Sequence, residues 1–267
     1  NLVRNKRPVN LDWPFKKKDN EKIWFRIAGD PLADKDEVLW TVVDITERVK
    51  AKDKIELLAS KLSRYLSPQV YQSIFSGKKN VKIEAYRKKL TVFFSDIKGF
   101  TEITDRLEPE VLSTLLNSYL NEMSKIALKY GGTIDKFVGD AILIFFGDPE
   151  TKGEREDAHS CVLMALEMQE RMHHLKNLWE DQGITNPLEI RIGINTGYCN
   201  VGNFGSENRL DYTIIGGEVN LASRLESNAM AGQILISKET KLNFYESIQN
   251  FSFFYDGLCF INCPNQS

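Results

Sequence analysis

At 267 residues the chain is long enough for one sizeable domain plus an appendage. Its 42% hydrophobic and 27% charged residues are ordinary for a soluble globular protein, and 35 Lys and Arg against 37 Asp and Glu leave a net charge of -2. That balance excludes the broad basic field of a nucleic-acid binder, so no nucleic-acid partner is expected. No apolar run reaches the roughly 18 residues that span a bilayer, and no signal peptide is present. No membrane segment is therefore expected, and the cytoplasm is the expected compartment. The chain starts with Asn1 rather than Met, which predicts a fragment or trimmed chain. Cys161, Cys199, Cys259 and Cys263 form no CxxC pair and share no zinc spacing with His159, His173 and His174. Reduced, packing cysteines and histidines on a solvated helix face are the expectation.

Residues 1–21 are Lys-rich and carry Pro8 and Pro14, the composition of a linker or a frayed remnant. Residues 23–27 and 38–43 read as a strand pair around a Gly-Asp-Pro turn, and the second leads through Asp44-Ile45-Thr46 into a charged helix. From residue 47 to 66, Ile55, Leu58, Leu62 and Tyr65 fall at a/d spacing over two heptads, with Ala51 extending the series back. Such a stripe fits either a short coiled coil or a helix docked on its own domain. Pro68 interrupts it, a short helix can restart through Phe75, and Gly77-Lys78-Lys79-Asn80 reads as a linker, which places a domain boundary near residue 80.

Residues 90–96 form an apolar strand that ends in Asp96. Pro109 then opens a long helix to Tyr130, with Glu108 and Glu110 at its positive end. Leu112, Leu116, Tyr119, Met123 and Ala127 supply its buried stripe, and Gly131-Gly132 stops it. Residues 133–146 read as two strands joined through Gly139-Asp140. A second long helix is expected over residues 155–181, closed by Gly183 and Pro187. Alternation at Leu188, Ile190, Ile192 and Ile194 predicts a strand. Short strands at 199–204 and 211–215 follow, then a helix over 218–228 after Gly216-Gly217, and a strand at 233–237. The expected class is α/β, in the α+β sandwich sense: a mixed sheet with helices packed against it, preceded by a strand pair and a linking helix.

Asp96 ends a buried strand, and Gly99 lets the backbone after it approach a ligand, so free N–H groups at Gly99, Phe100 and Thr101 can cradle phosphate. Asp140 sits in a hairpin turn, where an acid often has only a conformational role. As a pair the two carboxylates suit magnesium, which takes one or two carboxylates plus substrate phosphates. Asn220 and Arg224, at i and i+4, share a helix face, and an arginine fork suits charge on a phosphate.

Three stretches now stand in order: Phe94-Ser95-Asp96-Ile97-Lys98-Gly99-Phe100-Thr101; Asp135-Lys136-Phe137-Val138-Gly139-Asp140; and Asp211-Tyr212-Thr213 through Gly216-Gly217 to Asn220 and Arg224. Over about residues 85–240 they resemble the class III nucleotidyl cyclase catalytic domain of the bacterial adenylate cyclase type. The resemblance implies a ferredoxin-like, palm-type sheet in a catalytic domain at 81–267. It implies two divalent ions per site, Mg2+ or Mn2+, held by Asp96, Asp140 and the Ile97 carbonyl. It implies that Arg224 stabilises the pentavalent phosphorus, that Asn220 positions the ribose, and that Lys136 and Thr213 read the base. It also implies a homodimer, in which the metal carboxylates of one chain meet the base-reading and arginine positions of its partner. Residues 22–46 resemble the last two strands of a PAS sensor domain and its Asp-Ile-Thr exit. Residues 1–46 are therefore read as a partial PAS-like segment and 47–80 as a signalling helix and linker.

Hydrogen-bond logic favours ATP as the partner nucleotide. Lys136 has only donors, which suit adenine N1 and not the guanine N1–H, whereas the Thr213 hydroxyl can accept or donate and discriminates weakly. The expected activity is ATP conversion to 3′,5′-cyclic AMP and pyrophosphate by two-metal-ion catalysis, under an N-terminal sensor. The alternatives are a guanylate cyclase, disfavoured by Lys136, and a catalytically weak dimeric signalling module. A diguanylate cyclase would need a Gly-Gly-Asp-Glu-Phe run where Gly131-Gly132-Thr133 stands. Domains of the resembled family usually end in a Lys-Gly strand, but no lysine follows Lys241 here. Weaker ATP binding or a poorly closed sheet edge is the expected consequence.

Overall fold

The computed structural model describes residues 9–31, 37–75, 83–105, 107–181, 188–206, 208–247 and 258–260. The chain divides into two compact units, residues 1–66 and 67–267.

In the first unit, β1 (Val9–Lys16), β2 (Lys22–Pro31) and β3 (Val38–Asp44) form an antiparallel sheet in chain order. β1 lies where a linker was expected. Leu11, Trp13 and Phe15 alternate along it, a period hidden by the neighbouring lysines, and Asp12 receives both Nε (2.7 Å) and Nη2 (2.8 Å) of Arg26. Pro14 is tolerated because β1 is an edge strand. At the exit of β3, Asp44 Oδ1 accepts the Thr46 amide at 2.8 Å, while the Trp24 amide donates to Thr46 Oγ1 at 2.9 Å. The strand-to-helix corner is thus stitched to β2, and α1 (Thr46–Leu62) starts from a fixed point. Along α1, Ile55, Leu58 and Leu62 are 65%, 55% and 51% exposed.

The second unit starts with α2 (Pro68–Phe75), where Gln69 Nε2 donates to the Gly132 carbonyl at 2.9 Å. The expected linker at 77–80 and the expected helix stops at Gly183 and Pro187 lie outside the described residues. The remaining elements are β4 (Ala85–Ile97), α3 (Phe100–Thr104), α4 (Pro109–Tyr130), β5 (Thr133–Val138), β6 (Ala141–Phe146), α5 (Glu154–Asp181), β7 (Ile190–Ser206), β8 (Arg209–Ile215), α6 (Gly217–Asn228), β9 (Ile234–Ile236), α7 (Lys238–Ser247) and β10 (Leu258–Phe260). The sheet runs β10-β9-β7-β4-β6-β5, with β8 on β7; β9 pairs in parallel with both β7 and β10, and the other pairs are antiparallel. This is the palm-type mixed sheet with helices against it. The two strands expected at 188–194 and 199–204 are one: Thr196 and Gly197 stay extended because they sit opposite Thr91 and Leu90 of β4.

Alternation along the strands sorts the two faces. Phe93, Ile97, Ile142, Ile144, Ile190, Ile192 and Ile194 pack with Tyr119, Met123 and Met168 under α4 and α5. Leu90, Val92, Leu143, Phe145 and Val201 pack on the other face with Ala222 of α6. Gly193 permits this second contact, since a Cβ there would lie 2.2 Å from the Ala222 carbonyl oxygen and from the Glu226 amide. Cys161 and Cys199 are buried and unbridged, as expected of packing residues. His173 and His174 are exposed, but His159 instead stacks on Phe244 at 5.7 Å. Among the described residues no helix is long and apolar enough to cross a membrane.

Candidate active site

Asp96 and Asp140 are brought together by neighbouring antiparallel strands. β4 ends at Asp96-Ile97, and the β5–β6 turn is closed by Gly139 at φ +65°, which delivers Asp140 beside it. The Ile97 amide donates to Asp140 Oδ2 at 3.0 Å and fixes the second carboxylate. Burial, then the hydrogen bond and charge of Asp96, push Asp140 up to about 6. Two hard oxygen donors this close fit a divalent cation, whose charge removes the repulsion. Beneath them the Tyr119 phenol is fully buried beside Ser95; burial first, and both aspartate charges after it, hold it neutral.

Arg191 on β7 sits directly opposite Asp96 on the α6 face. Its Nη2 donates to Asp96 Oδ2 at 3.1 Å, and its Nη1 donates to the Ser227 carbonyl at 3.3 Å. Its Nε lies 2.5 Å from Glu226 Oε1. Glu226 is 4% exposed; burial raises its pKa, Arg191 opposes the rise and Asp96 adds to it. The row Glu226–Arg191–Asp96 therefore ties α6 to the metal-type carboxylates.

A second cluster forms around Asp135. The β5–β6 register slips between Ile134 and Lys136, leaving Asp135 as the extra residue of a bulge. Its side chain is 1% exposed, whereas the neighbouring Lys136 is 42% exposed. The Thr213 hydroxyl donates to Asp135 Oδ2 at 2.6 Å, and the Ile214 amide donates to the same oxygen at 3.2 Å. Lys136 Nζ lies 3.3 Å from Oδ1. β8 is held in place again one residue earlier, where the Tyr212 hydroxyl donates to Asp148, which also accepts from Tyr86 (2.5 Å) and Lys88 (3.0 Å).

Asn220 and Arg224 are exposed on α6, on the side away from its buried Ala222, Leu225 and Glu226. The first turn of this helix is fastened by Asn195, whose Nδ2 donates to the Glu218 carbonyl (3.0 Å) and carboxylate (2.7 Å). Among the described residues the Arg224 guanidinium has no partner, and nothing joins it to Asp96 or Asp140. Gly99, at φ +70°, caps α3, and its carbonyl accepts from Glu102 (3.1 Å) and Ile103 (3.2 Å). Phe100 packs its ring against the α4–α5 core, so its amide is what it can offer a ligand; Thr101 is exposed beside it.

One chain thus unites Asp96, Ile97 and Asp140, and separately Lys136 and Thr213, while Asn220 and Arg224 stay on an outer surface. Arg191, Glu226 and Asp135 were not singled out by sequence. A usable signal existed for Glu226, an acid four residues after Ala222 on the stripe that also carries Leu225 and Ala229.

The family description "Adenylate and Guanylate cyclase catalytic domain" matches residues 81–259. The chain belongs to this nucleotidyl cyclase family. This cyclase domain is 65% identical to the adenylyl cyclase CyaB from P. aeruginosa, with a TM-score of 0.60 over 61% of this chain and 84% of that one. It is 40% identical to the guanylyl cyclase Cya2, with a TM-score of 0.57 over 60% of this chain and 80% of that one. It is 33% identical over 206 residues, 75% of this chain, to the terminal-differentiation-specific adenylate cyclase of Dictyostelium discoideum. The cyclase chain spans 9% of that protein's length and 34% of the length of the Anabaena cylindrica adenylate cyclase. Since relatives of both base specificities are similar, the choice of base falls to the site residues.

Proposed function

We propose that this chain is an adenylate cyclase that converts ATP to 3′,5′-cyclic AMP and pyrophosphate at sites shared by two copies. The observation that carries the choice of ATP is Lys136, an exposed, donor-only ammonium beside Thr213 at the base-reading positions. The 65% identical adenylyl cyclase supports the same choice.

Bound divalent cations, Mg2+ or Mn2+, two per site, would lower the pKa of the ribose 3′-hydroxyl and offset charge on the triphosphate. Asp96 and Asp140 would hold them with the Ile97 carbonyl. Arg191 and the Ile97 amide fix the two carboxylates. The amides of Gly99, Phe100 and Thr101 would receive phosphate oxygens. Lys136 donates to adenine N1, Asn220 positions the ribose, and Arg224 stabilises charge on the phosphorus as the 3′-oxygen attacks and pyrophosphate leaves. The outward Arg224, which makes no contact with Asp96 or Asp140 of its own chain, supports a homodimer in which it serves a partner's site. The exposed stripe of α1 supports pairing upstream, and the three-stranded unit before it is a PAS-like segment whose signal α1 carries. The expected compartment remains the cytoplasm, where ATP and Mg2+ are at hand.

The test is turnover with ATP and GTP under Mg2+ and Mn2+. Preferential cyclic GMP, or no product with either metal, overturns the assignment. For the shared site, Asp96→Ala and Arg224→Ala chains should each be inactive and regain activity when mixed. Heterodimers that stay inactive would refute the division of labour.

A further inference from the structure

The mixed donor and acceptor capacity of Thr213 leaves its preference open when the residue is considered alone. A threonine hydroxyl has one proton and two lone pairs, so it can meet the adenine N6 amine or the guanine O6. Which it meets depends on where its proton already points. That proton points at Asp135: Thr213 Oγ1 to Asp135 Oδ2 is 2.6 Å.

We infer that Asp135 is a specificity-determining positioning residue, which takes the Thr213 proton and leaves Thr213 only an acceptor toward the base. Two hydrogen bonds, from the Thr213 hydroxyl and from the Ile214 amide at 3.2 Å, end on one oxygen of this carboxylate, and the Lys136 ammonium lies 3.3 Å from the other as an ion pair. All three favour the ionised, acceptor-only form against the burial that raises its pKa. With the hydroxyl proton committed, the lone pairs left on Thr213 suit the N6 amine of adenine and repel the O6 of guanine. One buried acid, placed by the β5 bulge, therefore sets the hydrogen-bond sense of Thr213.

The inference deepens the adenylate-cyclase function proposed above and rests on it. Alanine at position 135 removes the oxygen that takes the Thr213 proton and so frees the hydroxyl to donate, which asparagine would not do, since its carbonyl oxygen can keep both donors that share Oδ2. Asp135→Ala should lower the ATP:GTP ratio of kcat/KM by about 10-fold or more, the scale of one mispaired buried hydrogen bond. Thr213→Val should lower it similarly, and the double variant should lower it no further than Thr213→Val alone. A purely structural Asp135 would reduce both substrates together and leave the ratio unmoved, which overturns the inference, as does an additive double variant. The ratio of Kd for the α,β-methylene analogues of ATP and GTP reads the same discrimination in a chain that turns nothing over.

Should Asp135→Ala fail to fold, the wild-type chain decides the matter with two ATP analogues that both keep the N1 acceptor. Purine riboside triphosphate lacks a 6-substituent, and 6-methoxypurine riboside triphosphate carries an acceptor there. The methoxy compound should be the poorer substrate; equality with ATP would show a hydroxyl free to donate and sink the idea. A wild-type preference for GTP overturns the proposed function and this inference together. A wild-type preference for ATP with an unchanged ratio in Asp135→Ala overturns this inference alone.

Discussion

Asp140 is held in a position that is unfavourable without a cation. Its folded pKa of about 6 lies above the 3.8 of the free side chain, because burial and the adjacent Asp96 both penalise its ionised form. Between these two values the metal-free fold binds a proton that the unfolded chain has released. Stability from this group is therefore full near pH 4, declines as pH rises through about 6, and is flat above. Asp140→Asn should raise the melting temperature of the metal-free protein by a few degrees at pH 7 while abolishing turnover; calorimetry with chelator present, beside a cyclase assay, checks both. An unchanged or lower melting temperature would show that the carboxylate pair carries no such penalty. At this scale the pairing of the two aspartates was expected from residue type and spacing, whereas Lys136 was named only through the family resemblance. Arg191 was not: it sits between Ile190 and Ile192 as an ordinary outward residue of an alternating strand. Its meaning appears only once β7 lies opposite β4 and Asp96 becomes its neighbour. Asp135 stayed hidden for a related reason, because a bulge moves it off the face that simple alternation assigns.

At the scale of elements, α6 is the piece on which the site turns. It carries Arg224 outward and Glu226 inward, and it rests backbone to backbone on β7 at Gly193. Adding a methyl at that residue leaves no room, because the obstructing atoms are main chain. Gly193→Ala should cost about 3 kcal/mol or more, the upper end for overpacking, and lower the melting temperature by roughly 5–10 °C. A thermal melt within a degree of wild type would mean the helix has slack. The long helices α4 and α5 and the β5–β6 hairpin follow from Pro109, the Gly131-Gly132 stop and the Gly139-Asp140 turn, all local signals. β1 escaped notice because lysines flank its alternating Leu11, Trp13 and Phe15, and its stability comes from β2 across the sheet. The continuity of β7 escaped for the same reason, since pairing with β4 overrides the local preferences of Thr196 and Gly197.

At the scale of the molecule, the proposed second copy rests on the exposed Ile55, Leu58 and Leu62 of α1 and on the exposed Arg224. Leu58→Glu should weaken association, seen as a rise in the dissociation constant by sedimentation. Specific activity should fall at low protein concentration and recover at high concentration. Activity independent of concentration, together with a monomeric mass, would rule out the shared-site dimer. The β5–β6 hairpin has a further consequence in such an assembly. It holds Asp140 for one site and Lys136 for the other, so a lesion in the whole hairpin is inherited by both. In a random one-to-one mixture with wild type, chains defective only at Asp140 leave about half of the sites sound. Chains defective at Asp140 and Lys136 leave only about a quarter, because every mixed pair is then silent at both ends. Changes in this one turn would behave as dominant poisons, whereas most other changes would be recessive.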